Sequence, residues 1–372
     1  MVDSGRNGVS QCFHGCNMKD EKKTLFERVV GPGFHGEGLV ERETGATYSS
    51  RETVARARNI PYTGEMIVSG CWIFAISTHG YHIGMAEIYS ALERMKRVGL
   101  TYVELEGIGI DGVNMVHENR TELRKRIDEL GLQVVNYATI LSDFRHPEPH
   151  KRSQAVELFR TKGLETATLF GCRTIQTDTF HPWVGIYGKP PYTDDVEYEG
   201  AQTGYKYVAP DDYDERREFD AIVETFSECT QAATRAGLSF CIEPRKGEIV
   251  DTVGYMLRVI DHVPGLGVVL DTAHLNFGED VLLAAARLKR HIVYCHLADN
   301  DGTNNDHLEI RDPRLGNRGI DFLSLLTILK SAGYSGCLAL DTGKVDDIDQ
   351  AVMNSKSRLE DMLELLAIPY RS

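Results

Sequence analysis

The spacing of hydrophobic and polar positions becomes regular from about residue 65 onward. Short apolar runs typical of buried strands alternate with longer segments whose apolar residues recur at helical spacing. The predicted strands cover residues 67–77, 101–107, 133–140, 173–180, 239–245, 267–274, 292–299 and 337–343. The predicted helices cover residues 85–99, 118–131, 153–171, 218–237, 252–260, 280–289, 321–333 and 346–366. This alternation of eight strands with helices predicts an α/β fold, a single (β/α)8 TIM barrel.

Two stretches depart from this alternation. Residues 1–64 are polar and rich in glycine with no sustained period, so we interpret them as an N-terminal extension or arm. Residues 65–372 then form the barrel, which is the predicted catalytic domain. Residues 181–214, after the fourth strand, form a long insertion rich in proline, glycine and tyrosine. A loop of this length is usually functional or disordered, and its aromatic content argues against simple disorder.

Each of the last four predicted strands ends in a side chain of a metal-ligating type. These residues are Glu243, Asp271, His296 and Asp341. In a barrel the C-terminal ends of the strands line one shared mouth. Side chains alternate along a strand, so the apolar residue two positions before each ligand also faces the barrel interior. Those earlier residues include Cys241, Val269 and Ala339. A single Asp or His after a strand is more often a cap or turn residue, but four at one height predict a divalent metal site. Mixed oxygen and nitrogen ligands suit a divalent metal of the Mn, Mg or Co kind, and of these we expect Mn²⁺.

Several other polar residues lie close to these ligands in the sequence. His274 could contact substrate oxygens or be a satisfied loop histidine, and His307 could be a substrate contact, an extra metal ligand or an ordinary loop residue. Arg245 could hold substrate hydroxyls or offset the acidic cluster, whereas Glu248 is expected to be a solvated loop acid. A supporting or helix-capping role is expected for two acids near the mouth, Glu106 and Asp178.

The predicted metal indicates a class of chemistry. A divalent ion on adjacent oxygens of a hydroxy-ketone acidifies the neighbouring C–H group and stabilises the enediolate that forms when a carboxylate removes the proton. A ligand carboxylate with a free oxygen can serve as that base. The site therefore favours isomerisation, epimerisation, dehydration or elimination over simple hydrolysis.

Charge and composition limit the classes of binding partner and the cellular compartment that we expect. The chain has 41 basic and 55 acidic residues, a net charge of −14, and no basic block, so we expect no nucleic-acid partner. No stretch approaches a membrane span or the apolar core of a signal peptide, so we expect a cytoplasmic protein without a membrane partner. Half of the eight cysteines fall in apolar strand runs, and their pattern is not that of a disulfide framework.

Several motifs carry a resemblance to a known family. They are VELEG, CIEPRKGE, LDTAH, YCHLADN, LGNRGIDF and GYSGCLALD. With them, the chain from Ile67 to Leu366 resembles the sugar phosphate isomerase/epimerase superfamily, the xylose isomerase-like TIM barrels of AP endonuclease 2 type. The resemblance implies a Mn, Mg or Co ion on the four predicted ligands. In the ketose 3-epimerase branch, the first and last ligands also transfer the protons.

On this basis we expect a metal-dependent isomerase or epimerase that acts on a sugar or keto-sugar through an enediolate. Glu243 is the predicted base, Asp341 holds the metal and returns the proton, and His274 is a further catalytic candidate. The predicted substrate-binding residues are Arg245, His307 and Trp183. The epimerase branch has Glu where this chain has Asp341, and the side chain shorter by one methylene argues against a symmetrical two-carboxylate mechanism. Aldose-ketose isomerases of the rhamnose type use Asp there.

The aromatic insertion of residues 181–214 supports a lyase as the alternative. The chain also resembles C-glycoside deglycosidase catalytic subunits, which act on keto-glucosides of flat aromatic aglycones together with a smaller partner subunit. An inosose-type dehydratase is the second form of this alternative. Two further hypotheses are a DNA-repair enzyme of the endonuclease IV type and a non-catalytic barrel. The family resemblance also implies a homo-oligomer.

Overall fold

The structure is a computed structural model in which eight parallel strands close into a barrel. It describes residues 51–81, 83–182, 211, 213–312, 314–343 and 345–372, with the backbone of 40–41, 46–47, 50, 185–186 and 207–208. The barrel strands are β1 Met66–Gly70, β2 Tyr102–Ile108, β3 Gln133–Ile140, β4 Thr174–Asp178, β5 Ser239–Glu243, β6 Gly267–Asp271, β7 Ile292–Leu297 and β8 Cys337–Leu340. Each strand pairs with its sequence neighbours, and β8 closes the circle on β1 through Cys337 beside Ile67. The predicted (β/α)8 TIM barrel is confirmed.

Helices connect successive strands on the outside of the barrel. The α-helices are α1 Ser50–Arg58, α2 Ile73–His79, α3 Met85–Arg97, α4 Gly109–Glu118, α5 Arg120–Leu130, α6 Pro149–Leu158, α7 Leu164–Phe170, α8 Glu215–Arg235, α9 Val253–His262, α10 Thr272–Asn276, α11 Val281–Leu288, α12 Phe322–Ser331 and α13 Ile348–Leu365. Short 3₁₀ turns cover Ser142–Arg145 and Gly316–Arg318. Two-residue strands pair Val40–Glu41 with Ala46–Thr47 and Gly185–Ile186 with Tyr207–Val208, and Tyr370–Arg371 joins β1. Among the described residues, no helix is both long enough and apolar enough to cross a membrane.

The first predicted strand is too long in comparison with the structure. Strand β1 ends at Gly70, and after Cys71 and Trp72 the apolar residues from Ile73 onward belong to helix α2, which buries Phe74 and Ala75. A side chain at position 70 would bring its Cβ to 2.6 Å from Leu100, so glycine allows close packing at this point. A short apolar run fits a buried strand or a buried helix equally well, which explains the error.

Two other helical predictions also differ from the structure. Helix α4, directly after β2, was not predicted, because its first turn contains glycine and its apolar period is short. The predicted helix over residues 153–171 is divided by a π-helical segment, Phe159–Gly163, into α6 and α7. Neither difference changes the order of the strands.

The barrel interior has an apolar floor beneath its polar mouth. Inward-facing strand residues, with Cys71 directly after β1, form this floor: Ile67, Cys71, Tyr102, Val135, Cys241, Val269, Tyr294, Cys337 and Ala339. The predicted inward direction of Cys241, Val269 and Ala339 is therefore confirmed. Because side chains on a strand alternate, Glu243 and Asp271, two residues later on the same strands, also face inward at the C-terminal end.

Helix α1 lies within the predicted N-terminal extension and is fastened to the barrel by a buried cation. Lys330, which is only 2% exposed, donates from Nζ to the carbonyl oxygens of Ala57 at 2.8 Å, Leu366 at 2.9 Å and Ala367 at 3.3 Å. These carbonyls lie at the C-terminal ends of α1 and α13, where helix carbonyls lack intrahelical partners and a cation is favourable. One ammonium group therefore joins α1, α12 and α13.

We expect Lys330→Met to lower the free energy of unfolding by about 2–4 kcal/mol. Methionine retains an apolar side chain of similar length, but the three buried carbonyls lose their charged hydrogen-bond donor. Urea denaturation monitored by circular dichroism measures this change. The control is Lys125→Met, at an exposed ion pair with Glu122, which should change stability by less than about 0.5 kcal/mol. Equal effects of the two substitutions would contradict the anchoring role.

Candidate functional site

Strands β5, β6 and β7 bring three of the four predicted metal ligands together. Glu243, Asp271 and His296 each offer one ligand atom, and these atoms all lie within 4.8 Å of one another. Parallel pairing explains their common height, since Asp271 is in register with His296, and Glu243 is in register with Asp178 on β4. The three residues are 4%, 1% and 3% exposed, respectively. We call them the ligand triad.

The triad combines two carboxylates with one imidazole nitrogen. His296 Nδ1 lies 3.3 Å from Glu243 Oε1 and 3.7 Å from Asp271 Oδ2. Asp271 Oδ1 accepts a hydrogen bond of 2.7 Å from the backbone N–H of His274. Asp271 Oδ2 is buried without a hydrogen-bond partner among the described residues.

This arrangement of donors fits a divalent cation. Burial, followed by the nearby charges of Glu243 and Asp341, raises the pKa of Asp271 well above its ordinary value. This raised pKa indicates that the protein's own groups supply too little positive charge to keep Asp271 ionised beside the other two carboxylates. A cation bound by the triad would supply that charge and would give Asp271 Oδ2 a partner.

The fourth predicted ligand, Asp341, lies beside the triad and is paired with a histidine. Asp341 follows β8, and its Oδ2 is 3.0 Å from His307 Nε2. Burial alone would raise the pKa of Asp341, but His307, together with His296 and Cys71, outweighs burial and holds that pKa well below the ordinary value. His307 in turn packs edge-on against His274, with 5.0 Å between ring centroids. His307 is thus a buried residue in contact with a carboxylate and with a second histidine.

A polar pocket adjoins the triad at the mouth of the barrel. It is lined by Cys71, Ile73, Ile76, Tyr81, Glu106, Asp178, Glu243, Arg245, His274, His296, Asn305, His307 and Asp341. The predicted substrate-binding residues Arg245 and His307 and the predicted catalytic residue His274 all line this pocket. The remaining predicted contact, Trp183, lies outside the described residues. Burial and the nearby Arg245 lower the pKa of His274 well below its ordinary value, so its imidazole is neutral at pH 7.

One wall of the pocket is an arginine held between two acids. Arg245 Nη1 donates to Asp178 Oδ2, and Arg245 Nε lies 3.4 Å from Glu248 Oε1. Glu248 Oε2 also accepts hydrogen bonds from Thr179, at 3.0 Å from N and 2.7 Å from Oγ1. The prediction that Glu248 is a solvated loop acid is wrong, because it is 7% exposed. The loop after β5 folds back onto β4, a contact that local sequence does not reveal.

Burial has a large effect on both acids of this wall. Burial raises the pKa of Asp178 to about 6, although Arg245 opposes the shift. Burial also raises the pKa of Glu248 to about 8, with Arg245 opposing the shift and Asp178 adding to it. Asp178 is the ion-pair partner of Arg245 in this wall, and its supporting role stays a prediction.

The sequence reasoning missed one carboxylate, Glu104 on β2. Its side chain is 0% exposed, and its Oε2 lies 3.2 Å from Nε2 of His296, the ring nitrogen on the side away from the triad. Glu104 precedes Glu106 by two residues, so the alternation of a strand turns both toward the interior. That spacing in the VELEG motif was the signal that could have found it.

A family match and a curated relative are consistent with this architecture. The family described as "Xylose isomerase-like TIM barrel" matches residues 92–366. An uncharacterised protein of Methanocaldococcus jannaschii is 25% identical over 150 residues, which cover 38% of this chain and 48% of that protein. The chain thus spans about half the length of the curated relative that it matches.

Two solved structures share the fold. A D-tagatose 3-epimerase-like protein superposes with a TM-score of 0.60 at 18% identity, covering 81% of this chain and 98% of that chain. The 3-keto-D-glucoside 4-epimerase from E. coli superposes with a TM-score of 0.57 at 17% identity, covering 80% and 99%. At these identities the similarity establishes the fold alone.

The raised pKa of Glu248 predicts how stability depends on pH. Its folded pKa is about 8, whereas an unfolded Glu titrates near about 4.3. Between these values the folded state binds more protons than the unfolded chain, so the free energy of unfolding should fall as pH rises from 5 to 8. In Glu248→Gln this fall should be smaller by about 1–3 kcal/mol, because the amide cannot ionise.

Urea denaturation at several pH values, with chelator present, measures this difference. The exposed control Glu122→Gln should follow the wild-type pH dependence. A Glu248→Gln profile parallel to the wild type would contradict the assigned burial of a protonated acid.

Proposed function

This chain belongs to the xylose isomerase-like TIM barrel family, and we propose that it is a divalent-metal-dependent sugar isomerase or epimerase. Its substrate is a sugar or keto-sugar from which the enzyme removes a carbon-bound proton. The observation that carries this proposal is the buried ligand triad, with ligand atoms within 4.8 Å of one another beside a polar pocket. The names of the structural neighbours, a D-tagatose 3-epimerase-like protein and a 3-keto-D-glucoside 4-epimerase, support the substrate class.

Glu243, Asp271 and His296 would hold the metal, and Asp341 is the proposed fourth ligand at the edge of the triad. When bound, a divalent cation of the Mn²⁺, Mg²⁺ or Co²⁺ kind supplies Lewis-acid polarisation of the substrate's oxygens, which acidifies the adjacent C–H group. The buried donor set of oxygens and one nitrogen favours Mn²⁺ among these ions.

Glu243 is the proposed base. Burial would raise its pKa, but His296, with a further contribution from Arg245, outweighs burial and holds the pKa well below the ordinary value. The carboxylate is therefore ionised at neutral pH, which is the state that proton removal requires. Its contacts with His296, at 3.3 Å, and His274, at 3.9 Å, both use Oε1.

Asp341 and His307 form the proposed proton-returning pair. Strands β6 and β7 separate Asp341 from Glu243 around the barrel, so the two carboxylates approach the pocket from different directions. His307, 3.0 Å from Asp341, places a second proton-carrying group on this side. This pair offers a way to compensate for the short reach of an aspartate, and it supports an asymmetric mechanism.

Polar side chains would orient the substrate. The neutral imidazole of His274 can donate and accept hydrogen bonds, and the Arg245 guanidinium can donate to hydroxyl or carbonyl oxygens. Ile73, Ile76 and Tyr81 supply apolar surface at the pocket edge. The predicted cytoplasmic location, homo-oligomer and smaller partner subunit remain predictions.

We expect Glu243→Gln to lower the exchange of a substrate carbon-bound proton with D₂O by roughly 100- to 10,000-fold. Mass spectrometry would follow deuterium uptake at saturating Mn²⁺, using D-tagatose, other ketoses, 3-keto-glucosides and inososes. The exposed control Glu228→Gln on α8 should exchange at the wild-type rate. Undiminished exchange in Glu243→Gln would remove Glu243 as the base, and a wild-type chain that binds no metal would overturn the proposed function.

Asp341→Asn should separate exchange from product formation. If Asp341 returns the proton after Glu243 has removed it, the variant should retain at least about a tenth of the wild-type exchange while product formation falls roughly 100-fold. Chromatography of the same reactions measures the product. Loss of both signals in parallel would indicate that Asp341 acts only in binding, and release of an aglycone or of water from the exchanging substrate would identify a lyase.

A further inference from the structure

We infer that Glu104 is a positioning residue that fixes the ring of His296, so that Nδ1 faces the two carboxylates of the ligand triad. Glu104 lies on β2, and its side chain is 0% exposed. A buried carboxylate is costly unless hydrogen bonds satisfy its oxygens, so its partners should reveal its role. The part of this inference that concerns metal affinity rests on the proposed function.

Both oxygens of Glu104 are saturated by hydrogen bonds. Oε1 lies 3.3 Å from the Cys71 thiol and 3.4 Å from the Trp72 backbone N–H. Oε2 lies 2.6 Å from Asn136 Nδ2 and 3.2 Å from His296 Nε2. The oxygens of a carboxylate accept hydrogen bonds, and together they have about four lone-pair positions. Four donors therefore fit, and His296 must carry a hydrogen on Nε2 to be one of them.

A second layer of hydrogen bonds fixes the direction of the Asn136 amide. Thr174 Oγ1 donates to Asn136 Oδ1 at 2.7 Å, which leaves Nδ2 as the group that faces Glu104. Asn136 Nδ2 also donates to Gln176 Oε1 at 2.7 Å. The Asn136 carbonyl therefore faces Thr174, and its amide group is fixed as a donor to Glu104. The polar residues of β3 and β4 hold Glu104 in place.

The consequence appears on the other side of the His296 ring. With the Nε2 hydrogen directed to Glu104, the other ring nitrogen, Nδ1, faces Glu243 Oε1 at 3.3 Å and Asp271 Oδ2 at 3.7 Å. Two carboxylate oxygens around Nδ1 require a proton or a cation between them, and a bound cation would take the place of the proton. Glu104 would thus direct the coordinating nitrogen toward the metal position, in the manner of carboxylates that hold metal-binding histidines.

The test compares Glu104→Leu, which removes the acceptor, with Glu104→Gln, which retains a carbonyl acceptor. Binding of Mn²⁺ alone would be measured by electron paramagnetic resonance of the free ion. We expect Glu104→Leu to weaken Mn²⁺ binding by about 10- to 100-fold and Glu104→Gln to recover most of that loss. The control Tyr294→Phe changes an interior side chain on the strand that carries His296 and keeps the partners of both ring nitrogens. It should bind Mn²⁺ within about twofold of the wild type.

A second readout uses metal-free protein labelled with ¹⁵N-histidine. In the wild type, the His296 Nε2–H proton should resonate downfield and exchange slowly with water, because it is buried and bonded to a carboxylate. Glu104→Gln should move this resonance upfield, and Glu104→Leu should also increase its exchange rate. This measurement needs no metal, and the Glu104→Gln comparison remains available if Glu104→Leu fails to fold.

The outcomes separate this inference from the proposed function. An unchanged Nε2–H resonance in Glu104→Gln, or a Mn²⁺ affinity of Glu104→Leu within twofold of the wild type, would overturn the positioning role. A wild-type chain that binds no Mn²⁺ would refute the proposed function, and the resonance of the metal-free protein would still decide whether Glu104 holds the His296 ring.

Discussion

The structure depends on how a cluster of carboxylates is kept inside a barrel. Glu104, Glu243, Asp271 and Asp341 are each at most 4% exposed, and His296 lies between the first of them and the next two. Its two ring nitrogens contact acids on opposite sides, so one imidazole joins the interior of the barrel to its mouth. Buried charges of one sign destabilise a fold unless they are paired, protonated or bound to a cation. The site employs all three solutions, with the cation as the part that we propose.

The parallel barrel makes this concentration of charge possible. Because neighbouring strands run in the same direction and in register, as Asp271 does with His296, acids far apart in sequence reach one height. The apolar floor beneath them, including Val269 and Ala339, excludes water and makes each unpaired charge more costly. The burial that makes these charges costly would also favour the divalent cation that we propose.

The two sides of the pocket handle charge differently. On one side, Arg245 offsets Asp178 and Glu248, and burial nevertheless raises the pKa of both acids. On the other side, His307 lowers the pKa of Asp341 and keeps it ionised. A substrate between them would contact the Arg245 guanidinium and the imidazoles of His274 and His307. These groups can form hydrogen bonds with hydroxyl and carbonyl oxygens. This polarity favours a sugar over an apolar ligand.

The alternation of apolar runs and helical periods was enough to predict the barrel, since strand order in this fold follows chain order. Residue type and period two also placed Glu243, Asp271 and His296 at strand ends. The pairing of Asp341 with His307, the burial of Glu248 and the contact of Glu104 with His296 were decided only by the tertiary structure. Glu104 and His296 are 192 positions apart, and Glu248 and Thr179 are 69 apart. Local patterns report which face of a strand a residue occupies, whereas barrel closure and loop packing select the side chain that it meets.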